Sequence, residues 1–167
     1  VSGGVDLESL DRLRERGPRA IKNRGRAVTL DDFEALPIDS TAEVARVKAL
    51  ASTNPALQFD PGWITLLIVP QSDSPRPIPS QELIRFVADY LRERSLTNVA
   101  GTVPSQVNVI PPSFLRVFAE VDVAYENINE AKVVQDRIDL ALTEFFSPLR
   151  GGPNGTGWEF GRDVVGT

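Results

Sequence analysis

From Leu115 to Tyr125 the chain reads LRVFAEVDVAY, its cleanest alternation of apolar and polar positions. Leu115, Val117, Ala119, Val121, Val123 and Tyr125 fall on one face, while Arg116, Glu120, Asp122 and Glu126 fall on the other. A period of two predicts a half-buried antiparallel strand whose apolar face needs a cover. The next stretch offers one. Val134, Ile138, Ala141, Leu142, Phe145 and Leu149 recur at helical spacing and make a single apolar stripe. Strand and helix with matched faces predict a two-layer α+β domain.

Earlier segments extend the pattern. Trp63 to Val69 (WITLLIV) is apolar on both alternating faces, which predicts a central strand. Val44 to Leu50 and Ser105 to Ile110 read as two more strands. Leu83, Phe86, Val87, Tyr90 and Leu91 sit at i, i+3, i+4, i+7 and i+8 behind Ser80 and Gln81, the clearest amphipathic helix in the chain. A short helix is predicted over Asp6 to Arg16, ended by Gly17-Pro18, and another from about Leu30 to Leu36, opened by Thr29 and Asp32 and stopped by Pro37. Ser52 to Gly62 and Gln71 to Pro79 read as loops.

The order is helix, strand, strand, helix, strand, strand, helix. With both strand pairs in one sheet, it predicts a four-stranded antiparallel sheet with two helices on one face. Circular permutation of a ferredoxin-like βαββαβ unit gives the same order. The expected division is a basic helical arm over 1–40, an α+β sandwich over 41–150, and a Gly/aromatic tail strap over 151–167.

Composition narrows the chemistry. With 167 residues and 41% hydrophobic content, the chain can bury a sizeable core. It has no Cys and no His, which removes disulfides, thiolate ligands, cysteine nucleophiles and the commonest general base. Met is also absent, even at position 1, as in a piece cut from a longer chain or a processed protein. No run of about 18 apolar residues suggests a membrane span, and no membrane insertion is expected. The net charge of -5 is uneven: residues 12–26 carry seven Arg or Lys against Glu15, or +6, leaving -11 for the remainder. An acidic body repels phosphate, and no aromatics are interleaved with the arm for base stacking, so nucleic acid is not the expected partner. An arm docked on an acidic surface, its own or a neighbour's, is preferred over a simply solvated one.

Two carboxylate groups and one glycine-rich run invite catalytic or binding readings. Asp31, Asp32 and Glu34 lie where a helix N-terminus favours negative charge, and dipole stabilisation accounts for them without a metal. Glu120 and Asp122 alternate on one strand face, as solvated acids commonly do, and nothing resembles a calcium loop. Gly151 to Gly161 (GGPNGTGWEFG) lacks the Lys and the helix-opening position of a phosphate loop. Its Trp158 and Phe160, flanked by Glu159 and Arg162, read instead as apolar anchors for a groove of this or another subunit. No cofactor and no metal are expected.

Four motifs in order carry a family resemblance. Arg24 to Leu36 (RGRAVTLDDFEAL) with Glu43 to Leu50, then Pro61-Gly62-Trp63 leading into ITLLIVP, then Pro79 to Arg94, and finally Pro148 to Arg162 (PLRGGPNGTGWEFGR) resemble the corresponding regions of the baseplate J-like proteins. These are wedge subunits in the baseplates of contractile phage tails and related contractile injection systems. The resemblance covers about Arg24 to Val164 and implies an excised piece of a longer protein. It implies a non-enzymatic component that joins neighbouring wedge subunits, including other copies of itself. It further implies a place in a virion tail or injection-system baseplate, with assembly in a bacterial or archaeal cytoplasm and rigid-body movement on firing. The residues expected to make contacts are Arg24, Arg26, Phe33, Trp63, Phe118, Trp158, Phe160 and Arg162. Two other classes stay open: a ferredoxin-like interaction or small-ligand module, and a hydrolase using Asp31, Asp32, Glu120 or Asp122.

Overall fold

A twelve-residue strand, Phe59–Pro70, forms the centre of the molecule, as its apolar composition requires. The structure is a computed structural model that describes residues 25–95, 106–124 and 131–163. In chain order the elements are helix α1 (Leu30–Ser40), strands β1 (Val44–Thr53) and β2 (Phe59–Pro70), helix α2 (Gln81–Arg94), strand β3 (Val107–Ile110) and helix α3 (Ala131–Phe145). β1 and β2 form an antiparallel hairpin, and β3 joins the other side of β2 in parallel.

The expected four-stranded antiparallel sheet is not what forms: the described residues contain a three-stranded mixed sheet in the order β1-β2-β3. The fourth strand is the missing member. Residues 111–124 follow β3 without strand structure, and residues 115–124 are all exposed. Alternation specifies that a strand has an apolar face but not which edge it joins. The ferredoxin-like arrangement fails with that strand. The helices on the sheet also differ from expectation. α1 and α2 supply the cover, whereas α3 has no buried residue.

Side-chain alternation sorts the sheet into two faces. Val47, Ala49, Leu66, Ile68, Val107 and Val109 meet Phe33 of α1 and Leu83, Val87, Ala88 and Leu91 of α2 in one core. The register puts Arg46, Lys48, Leu50, Thr65, Leu67 and Val69 on the opposite face. A one-residue bulge at Ala45 lets both Val44 and Val47 reach the core despite their odd spacing.

Local chemistry explains the element ends. Thr29 accepts from the Asp32 amide at 3.3 Å, and the Asp32 carboxylate accepts from the Thr29 and Val28 amides at 2.8 and 3.1 Å, the expected capping box. Pro37 does not stop α1. The helix runs a further turn to Ser40, whose hydroxyl donates to the Pro37 carbonyl at 2.7 Å, while the Pro37 ring is fully buried. The predicted loop from Ser52 shrinks to Asn54–Gln58, because the Asn54 side chain accepts from the Ala56 and Gln58 amides and closes a tight hairpin. The helix expected at Asp6 to Arg16 and most of the basic arm lie outside the described residues.

A strap tied to the sheet and an unpartnered strand and helix

The C-terminal stretch folds into a knot held by the sheet. Gly151 donates to the Ser147 carbonyl at 3.0 Å, Gly152 to Phe145 at 2.7 Å and Gly157 to Gly151 at 2.8 Å, so the chain doubles back on the end of α3. Two glycines permit this. A Cβ on Gly151 would stand 2.1 Å from the Phe145 carbonyl oxygen. One on Gly157, at φ +95°, would meet the Pro148 carbonyl oxygen at 2.4 Å and the Arg46 guanidinium at 2.6 Å.

Arg46 is the tie. It stands beside the β1 bulge on the sheet face away from α1 and α2, and one guanidinium nitrogen donates to the carbonyls of Pro148 at 2.5 Å and Trp158 at 2.6 Å. Its guanidinium also lies 5.0 Å from the centre of the Phe160 ring. Burial pushes the Arg46 guanidinium down from its ordinary value, an effect that the nearby Glu159 partly offsets. A charge-assisted double hydrogen bond with an aromatic lid is a strong anchor for an irregular segment. A second tie, Arg150 to Asp73, lies at the surface.

Around this tie the aromatics converge. Trp158 packs against Phe145 and Phe146 with ring centres 5.4 Å apart in each case, and Phe145 and Phe146 are themselves 5.3 Å apart. The indole N–H donates to the Arg162 carbonyl at 3.3 Å, and Arg162 pairs with Glu159 at 3.3 Å. Trp158 and Arg162 thus meet at the end of α3, and Phe160 lies over Arg46. Arg46 was missed. Its only signal is a charged residue in the VARVKAL run, where it and Lys48 alternate with apolar positions and alternation alone assigns both to solvent.

The other expected contact residues are scattered. Phe33 is 1% exposed and belongs to the core. Trp63 is half-buried in β2, and Arg26 is exposed ahead of α1. Arg24 lies outside the described residues. Phe118 is 82% exposed with Arg116 stacked over it at 5.1 Å.

That last residue stands among a run of exposed apolar side chains. Leu115 is 93% exposed, Val117, Val121 and Val123 are 40–54% exposed, and Val133 and Leu140 of α3 are 50% and 60% exposed. Among the described residues, the backbone of 111–124 makes no hydrogen bond. An extended amphipathic segment followed by a helix with no buried side chain is an unfinished layer.

The candidate carboxylates have separate placements. Asp32 is 5% exposed and committed to the helix cap, while Glu120 and Asp122 lie on the exposed segment. Among the described residues no group of three or more acids could hold a metal ion, and no helix is long and apolar enough to cross a membrane. A cavity of about 220 Å³ is lined by Thr41, Glu43, Ser80, Glu82, Leu83 and Phe86. It is smaller than the usual ligand pocket of about 300 Å³ or more, and its two acids oppose the anion that the α2 N-terminus would otherwise attract.

No protein-family model matches the chain, and no curated protein matches it in sequence. Among solved structures, the fold is similar to a chain in the cryo-EM structure of the anti-feeding prophage (AFP) baseplate, 6-fold symmetrised. The TM-score is 0.64 at 20% sequence identity, and the match covers 88% of this chain and 31% of that chain. The likeness is one of fold, over less than a third of the other chain's length.

Proposed function

We propose that this chain is part of a structural, non-enzymatic wedge subunit of a contractile-injection-type baseplate, of the baseplate J-like kind. The observation that carries the reading is the fold shared over 88% of the chain with a component of such an assembly. Two features of the molecule support it. The strap is fixed to the sheet through Arg46, which suits a segment that must transmit position, and among the described residues the apolar side chains of 115–123 and Val133 and Leu140 of α3 are left exposed. The mechanism is binding, with neighbouring baseplate subunits as partners and rigid-body movement at their interfaces on firing. Assembly belongs in the cytoplasm of the producing bacterium or archaeon. The ferredoxin-like module reading loses its premise with the fourth strand.

The test is co-expression of the full-length protein with the products of adjacent reading frames, followed by affinity purification and light scattering. A complex of defined stoichiometry that is weakened by Val133→Asp with Leu140→Asp supports the proposal. A protein that ignores every neighbour contradicts it.

A further inference from the structure

We infer that Leu115 to Val123 is a self-recognition strand: two copies of this chain pair it antiparallel about a two-fold axis through Ala119. The inference stands on the segment itself and does not depend on the baseplate reading. It begins from an unmet requirement, since the segment is extended, alternating and exposed, and among the described residues its backbone makes no hydrogen bond. An open strand of this kind is a template for another strand.

The side chains select the occupant. With Ala119 opposite its own copy, Leu115 falls opposite Val123 and Val117 opposite Val121, so the apolar face pairs only with apolar residues. On the other face Arg116 falls opposite Asp122, twice by symmetry, with Glu120 of the partner strand on the diagonal and Phe118 beside it. The pattern of charged and apolar positions is self-complementary, as an isologous contact requires.

Other registers do worse. A shift by one residue turns apolar side chains toward charged ones. A shift by two puts Ser113 opposite Val123 in one direction and Glu120 opposite its own copy in the other, where like charges repel. Parallel pairing in register stacks Arg116 on Arg116 and Asp122 on Asp122, and like charges directly opposite repel. A two-stranded ribbon alone is marginal, and its apolar face needs a layer against it. Val133 and Leu140, exposed on the helix that follows, are the apolar residues available for that role in each copy.

The chain contains no Cys, which makes a single introduced cysteine diagnostic. Across the proposed axis the two Ala119 Cα atoms stand about 4.5–5.5 Å apart, within disulfide range. The two Val123 Cα atoms stand about 26 Å apart, eight strand residues away. Under mild oxidation of the full-length protein, Ala119→Cys is expected to form a covalent dimer at least ten times faster than Val123→Cys. Adding Arg116→Asp to the Ala119→Cys protein should slow cross-linking at least tenfold, and adding Asp122→Arg as well should restore it. Light scattering of the unmodified protein should show mass rising from monomer to dimer with concentration. Equal rates for the two cysteines, no recovery on the charge swap, or a monomer at every concentration overturns the inference. A monomer that still binds neighbouring baseplate subunits through this segment also overturns self-pairing while leaving the proposed function in place.

Discussion

Arg46 connects β1 to carbonyls 102 and 112 residues further along the chain, so one side chain sets the position of the strap. Hydrogen bonds from a charged donor contribute about 1.5–3 kcal/mol each, and sharing one donor nitrogen makes them less than additive. Arg46→Ala is therefore expected to cost about 2–3 kcal/mol in urea unfolding and to expose 147–162 to limited proteolysis. Arg46→Lys keeps the charge but loses the planar group over Phe160, and should recover less than half of that stability. Gly157→Ala should be at least as damaging, because its Cβ meets a backbone carbonyl and the residue sits at positive φ. Arg150→Ala is the contrasting case. Its ion pair with Asp73 is exposed on both sides, and its loss should cost no more than about 0.5 kcal/mol.

At the scale of elements, α1 holds the sheet edge as well as the core. Glu34 accepts from the Ala49 amide at 3.0 Å and pairs with Lys48 at 2.9 Å, so a side chain satisfies part of the edge of β1. Asp32→Ala removes the reciprocal half of the capping box and should lower stability by about 1–2 kcal/mol, while Phe33→Ala should cost about 3–5 kcal/mol. Thermal and chemical unfolding of the two variants separates these magnitudes. The elements legible in the sequence were those whose signal is local. The Thr29 and Asp32 cap, the doubly apolar β2 and the stripe of α2 each announce themselves within a dozen residues. The stripe was imperfect even there: Phe86 is 47% exposed and stacks on Tyr90, while Ala88 takes a place in the core. Pro37 was misread because a proline ends a helix only where nothing offsets its lost hydrogen bond, and here its buried ring does so. The Arg46 tie was illegible because it depends on a bulge and on carbonyls a hundred residues away.

At the scale of the molecule, the same limit explains the fourth strand. Period-two patterning at Leu115 to Tyr125 was real information about a strand that must pair, but it carries no address for the partner. The sequence supports pairing inside the chain as readily as pairing outside it, and the structure leaves residues 115–124 exposed and outside the sheet. The described residues thus divide into a closed α+β core with its tied strap and an exposed layer over 111–124 and 131–145. Hydrogen–deuterium exchange on the dilute full-length protein tests this division most directly. Amides of 113–124 are expected to exchange at nearly unfolded rates while those of 64–69 in β2 stay protected, with protection of 113–124 appearing as concentration rises or subunits are added. Protection of 113–124 equal to that of β2 in the dilute monomer would show that the strand belongs to the chain's own sheet, and would contradict the account.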